Sequence, residues 1–144
     1  MIISLITSCS NSNLENENRP QNNVKIESEK VKKDTGIEFL NNFYKEYHIV
    51  INEIPINETK YNNIKQKYCS NKLINMLDTI ELDYDPFINA QDIDPNFSQI
   101  NVFKLNDSEK GYHIYFGNNK TNSVKLYLIN NNEKLLIDSI ADLN

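Results

Sequence analysis

The chain has 144 residues, with 15 Lys and Arg against 20 Asp and Glu, for a net charge of −5. That length suits one domain, and the acidic balance argues against nucleic acid, whose phosphates are met by clustered Lys and Arg. Apolar and aromatic residues make up 39% of the chain, and no run approaches the ~20 apolar residues that span a bilayer.

The first feature is Met1-Ile2-Ile3-Ser4-Leu5-Ile6-Thr7-Ser8-Cys9-Ser10. An apolar run ends in Ile6-Thr7-Ser8 and meets a cysteine. It resembles the lipobox of bacterial lipoproteins, where an aliphatic residue and two small ones precede a cysteine that carries a diacylglycerol. The resemblance implies a signal over residues 1–8 and lipid on Cys9. No Lys or Arg precedes Cys9, so the basic region of a full secretory signal is missing; a start codon upstream would supply it. From Ser10 to Asn23 the residues are mostly Asn, Ser and Glu, with Leu14 and the lone Arg19 among them. Such a stretch buries too little surface to offset its ordering entropy, so residues 9–35 read as a lipidated cysteine and a solvated tether. The second cysteine, Cys69, then has no partner and no zinc-site spacing. It reads as a small buried hydrophobe.

After the tether, Asp34-Thr35-Gly36 supplies a helix N-cap at Asp34 or Thr35. A helix is predicted over about Ile37–Ile49, where Phe39, Phe43 and Tyr47 recur every four residues and Leu40 and Tyr44 widen the stripe. Pro55 marks a loop. A second helix is predicted over Glu58–Tyr68, and Ser70 caps a third over about Asn71–Ile80 that buries Leu73, Ile74 and Leu77. The last two read as a bent pair broken at Cys69-Ser70.

Periodicity then stops. Between Asp83 and Ser98, Pro86 and Pro95 disfavour helix, while Tyr84, Phe87, Ile88 and Ile93 predict a loop packed onto the core. The remainder reads as four sequential strands: Gln99–Leu105, Tyr112–Phe116, Ser123–Ile129 and Lys134–Ile140, with turns at Gly117–Asn119 and Asn130–Asn132. Helices followed by a run of strands predict an α+β fold, with the helices on one face of a curved antiparallel sheet.

Four segments carry a wider resemblance: Phe39-Leu40-Asn41-Asn42-Phe43-Tyr44, Tyr68-Cys69-Ser70-Asn71-Lys72-Leu73, Asp83-Tyr84-Asp85-Pro86-Phe87-Ile88-Asn89-Ala90-Gln91-Asp92 and Leu136-Ile137-Asp138-Ser139-Ile140. With the lipobox they resemble an uncharacterised family of Gram-negative, Bacteroidota-type envelope lipoproteins, a domain of unknown function in the NTF2-like (cystatin-like) superfamily. The family often carries a Trp in its last strand, where this chain has Leu135 or Leu136. The resemblance implies a domain over residues 36–144 folded as an NTF2-like cone. It implies no activity, because that superfamily holds enzymes, ligand binders and interaction modules.

The leading site candidate is the acidic loop, with Asp83, Tyr84, Asp85, Asn89, Gln91 and Asp92 as its recognition residues. Its spacing fails the EF-hand template, since Phe87 stands fifth from Asp83 and no Gly follows, so neither metal nor cofactor is expected. Two readings of the loop stay open. Its Asp and Asn side chains cap backbone amides while Tyr84, Phe87 and Ile88 plug the core, or the loop recognises a partner. Asp83 and Asp85 share one side of an extended segment, as paired carboxylates for acid–base work would. His113 and Tyr115 share a strand face, and His48 ends the first helix, where the dipole favours its protonated form. No nucleophile–base set or glycine phosphate loop assembles from three glycines and two histidines. The expected function is a lipid-anchored module of the cell envelope, outer-membrane and facing periplasm or surface, that contacts another protein without catalysis. The alternatives are a small-ligand carrier using the cone pocket and an enzyme with an Asp/His/Tyr site. An interior filled by Phe39, Phe43, Tyr44 and Tyr47 would count against both.

Overall fold

The computed structural model describes residues 34–92, 95–106, 110–117 and 122–143, all within the unit Lys32–Asn144. Cys9 and the tether up to residue 33 lie outside the described residues, while Asp34 and Thr35, assigned to the tether by sequence, begin the first helix. The elements in chain order are α1 (Thr35–Ile51), α2 (Glu58–Tyr68), α3 (Asn71–Thr79), a 3-10 turn (Pro95–Ser98), β1 (Ile100–Lys104), β2 (Gly111–Phe116), β3 (Asn122–Asn131) and β4 (Lys134–Ile140). The strands form one antiparallel meander in the order β1-β2-β3-β4. The α+β architecture expected from the chain is the one observed.

Each helix begins where local chemistry places it. The Asp34 carboxylate accepts from the Gly36 and Ile37 amides, Asn57 from Lys60, and Ser70 from Leu73, satisfying amides that have no partner inside the helix. Asp34 also accepts from the Tyr112 hydroxyl at 2.9 Å and lies 3.6 Å from the Lys104 ammonium, which ties the start of α1 to β1 and β2. Gly36 is required at this junction, because a Cβ there would stand 2.0 Å from the Tyr112 oxygen. α1 runs two residues further at each end than its apolar stripe predicts, since Ile51 is itself buried.

The sheet presents Ile114 and Phe116 of β2, Val124, Leu126 and Leu128 of β3, and Ile137 and Ile140 of β4 to the core. Ile137 and Ile140 share this face although three residues apart, because the register shifts opposite Tyr127/Leu128 and a bulge resets the alternation. The β3–β4 hairpin closes on Asn132-Glu133, both at positive φ (50° and 65°). That is the two-residue turn whose twist matches antiparallel strands. The predicted turn at Asn130–Asn132 is therefore moved toward the C-terminus, and Asn130 and Asn131 remain in the ladder.

The break between α2 and α3 has a tertiary cause. Cys69 and Ser70 adopt extended backbone, and the Ser70 amide donates to the Ile137 carbonyl at 2.8 Å. The break thus covers part of the free edge of β4. The Ser70 hydroxyl and Lys72 both reach the Asp138 carboxylate, at 2.8 Å and 2.9 Å. Cys69 is buried, and burial pushes its thiol up to about 12 against the opposing charge of Lys65. A thiol held protonated is a packing group, as the sequence predicts.

Candidate functional site: the 83–92 loop and its neighbours

The loop is pinned from inside. Asp85 and Ala90 form an antiparallel bridge, with the Asp85 amide donating to the Ala90 carbonyl at 2.9 Å. Between them Phe87 and Ile88 turn inward and are 0% exposed. The Phe87 ring sits 5.3 Å from those of both Phe43 and Tyr47. Its carbonyl, at the turn, accepts from the buried Tyr44 hydroxyl at 2.7 Å. Asn89 closes the turn at φ 51°, a left-handed conformation that Asn tolerates better than most residues. The aromatic stripe of α1 is therefore the socket for this plug. Phe43, Tyr44 and Tyr47 are fully buried, while Phe39 packs at the margin with its ring 5.4 Å from Tyr68.

The structure separates the six recognition candidates. Asp85 points inward: Oδ2 accepts from the Tyr47 hydroxyl at 2.5 Å, and Oδ1 accepts from the Phe87 amide at 2.9 Å. Burial raises its pKa, and the Tyr47 hydroxyl and the Phe87 and Ile88 amides only partly oppose this. Burial first, and then the Asp85 charge, likewise hold Tyr47 well above the ordinary tyrosine range. Asp83, Asn89, Gln91 and Asp92 are exposed. Gln91 donates to Asp83 at 3.2 Å, and Asn89 reaches the Ser123 carbonyl at 3.4 Å. Tyr84 is half-buried between two hollows. One, of about 200 Å³, lies against Ser123, Lys125 and the C-terminal residues. The other, of about 370 Å³, opens toward α2 and α3. Asp83 and Asp85 therefore do not act as a pair, because the turn sends one to solvent and the other to the core.

Other expectations divide in the same way. His113 and Tyr115 do share a face of β2, with ring centroids 4.1 Å apart. That face is opposite the one bearing Tyr112, Ile114 and Phe116, so the pair does not line the interior. His48 is corrected by its surroundings: burial lowers its pKa, against the dipole expectation and an opposing effect of the Phe97 backbone. Neither of its ring nitrogens makes a well-aligned hydrogen bond. Among the described residues no group of three His, Cys, Asp or Glu stands together to hold a metal ion. The partner that sequence reasoning missed is Tyr47, counted only as part of an apolar stripe. Its signal was the hydroxyl, since a buried tyrosine needs an acceptor and the acidic loop was the richest source of one.

The His48 environment carries a pH prediction. An unfolded histidine titrates near 6.5 and the folded value lies below this. The stabilisation is thus complete above about pH 6.5 and lost as pH falls through that value toward the folded pKa. Between about pH 7.5 and 5.5 the Tm is expected to fall. His48→Leu removes the buried titrating ring and is expected to flatten the slope. An unchanged slope would assign it instead to His113, whose pKa is lowered by burial and by Lys125.

No family model and no curated protein matches this chain. Among solved structures it is similar to a protein of unknown function from Bacteroides thetaiotaomicron VPI-5482. The two share 25% identity over 74% of this chain and 88% of that one, with a TM-score of 0.63. The likeness extends to the fold and assigns no activity.

Proposed function

We propose that this chain is a lipid-anchored, NTF2-like module of a bacterial cell envelope that works by contacting another protein through the 83–92 loop, without catalysis. The observation that carries this reading is the filled interior. Phe43, Tyr44, Tyr47 and Phe87 occupy the space between α1 and the sheet at 0% exposure, which favours a surface role over a ligand enclosed in a cone. The same packing anchors the loop from inside through Phe87 and Ile88 while Asp83, Asn89, Gln91 and Asp92 face solvent. A pre-ordered polar surface loses little entropy on binding. The anchor is proposed at Cys9, on the strength of Ile6-Thr7-Ser8-Cys9 and the polar stretch after it.

The test is crosslinking and pull-down from native membranes with the wild type and with Asp83→Ala/Asp92→Ala. Both side chains are exposed, so the Tm is expected to stay within the range of ordinary surface changes, while capture of the partner is lost. Equal capture by the double variant, or no reproducible partner at all, would count against the reading. Incorporation of a labelled fatty acid tests the anchor separately, with Cys9→Ala expected to abolish the label.

A further inference from the structure

The hollow of about 370 Å³ between the loop, α2 and α3 is walled by Ile51, Ile56, Leu77, Ile80 and Leu82. Its volume falls at the low end of the ~300–1,000 Å³ typical of ligand pockets. Asp85 and Tyr61 are the acidic and phenolic residues of this largely apolar lining. Lys65 also borders it, but its ammonium is engaged by Asp78 at 3.2 Å and lies 5.2 Å from the centre of the Tyr61 ring. Among the described residues no lysine ion-pairs with Asp85. Buried carboxylates are ordinarily matched by a cation, because desolvating a lone charge is costly. This one is met by a hydroxyl and by backbone amides, and Asp85, which lines the hollow, is partly exposed.

We propose that this groove receives a lysine side chain from a partner protein, its methylenes along the apolar walls and its ammonium on Asp85. This rests on the reading that the module works by protein contact. Three observations select the occupant. The walls match a flexible aliphatic stem, which lysine buries readily while keeping its charge on a polar group. The chain's net charge of −5 favours a cationic approach. Each Asp85 oxygen already accepts one hydrogen bond. A carboxylate offers about four acceptor positions, so a compact ammonium fits what is left, whereas the planar fork of arginine needs both oxygens side by side.

The test is an NMR titration of the ¹⁵N-labelled full chain with Nα-acetyl-lysine N-methylamide. The uncharged norleucine analogue, the arginine analogue and n-butylammonium serve as comparison probes. The lysine probe is expected to shift the Tyr61, Leu82, Asp85 and Ala90 amides saturably, about tenfold more tightly than the norleucine probe, the value of one hydrogen bond to a charged group. Asp85→Asn is expected to remove that preference. Ile80→Trp, which adds bulk to the groove wall and leaves the Asp85 carboxylate in the chain, is expected to abolish the shifts. Equal binding of the norleucine or arginine probe, or an unchanged preference in Asp85→Asn, overturns the proposal. So does the absence of any saturable shift. Butylammonium carries the same methylenes and ammonium and is expected to bind with comparable affinity; failure of butylammonium to bind would place recognition on the peptide backbone and overturn the side-chain groove. In membrane pull-downs, capture that survives Ile80→Trp but is lost in Asp83→Ala/Asp92→Ala would overturn the groove and leave the contact surface standing.

Discussion

Phe87→Ala is expected to destabilise the fold by about 3–5 kcal/mol, the range for removing a buried aromatic ring that its neighbours cannot replace. The ring is 0% exposed and edge-packed on both Phe43 and Tyr47, so its removal leaves a cavity walled by stiff side chains. Those walls belong to a helix whose start is already fixed to the sheet through Asp34, Tyr112 and Lys104. Collapse into the space would therefore disturb contacts elsewhere. Urea unfolding followed by circular dichroism measures the effect. A loss below about 1 kcal/mol, within the ordinary spread of point changes, would mean that the loop is not the plug described above. Asp92→Ala, five residues on, should stay within about 0.5 kcal/mol of wild type, as exposed positions do.

Asp85→Ala is expected to cost about 2–4 kcal/mol. It strips the acceptor from the Tyr47 hydroxyl and the Phe87 amide at once, and hydrogen bonds to a charged group contribute about 1.5–3 kcal/mol each. Asp85→Asn keeps one acceptor oxygen, for the Phe87 amide, and turns an NH2 toward the Tyr47 hydroxyl, which must then accept; it also removes a carboxylate with no cation partner, so the two effects offset and the Tm should lie near wild type. The pH dependence has a definite sign. The folded pKa of Asp85 is raised above the unfolded value, so its charge penalises the fold at neutral pH. The penalty is relieved as pH falls through the folded pKa toward the ordinary aspartate range. Subtracting the Asp85→Asn stability profile from that of the wild type isolates this contribution, which runs opposite to that of His48. A difference profile that is flat, or that falls toward acid, would refute the assignment of Asp85 as a carboxylate disfavoured by burial.

How far the fold was legible depended on how local its causes are. The start of α3 was readable because Ser70 satisfies an amide three residues away; the Asn57 cap of α2 was read only as the end of a loop. The strands were readable because β-forming runs such as Tyr112–Phe116 and Ser123–Ile129 lie between turn residues, and they fall within β2 and β3. The β3–β4 turn was misplaced because three consecutive asparagines offer equivalent turn residues, and pairing of Asn131 with Lys134 chooses among them. His48 was misread because a dipole argument considers one helix, whereas the sheet side of α1 buries the ring. Within the loop, Asp83 and Asp85 are the same residue type two apart, and nothing in the chain tells them apart. The distinction comes from Tyr47, 38 residues away.

By itself the sequence determined the order of helices and strands, the caps, and the packing of an acidic loop by its own aromatic residues. Each of these follows from chemistry acting over a few residues. Only the tertiary structure decided that the α1 stripe fills the interior and that Cys69-Ser70 covers an edge of β4. It alone set the Asp85 carboxylate against the Tyr47 hydroxyl and placed Asp85 beside a groove lined by Ile51, Leu77 and Leu82. Those outcomes require surfaces from distant segments to compete for the same buried space, and close packing admits one arrangement of them.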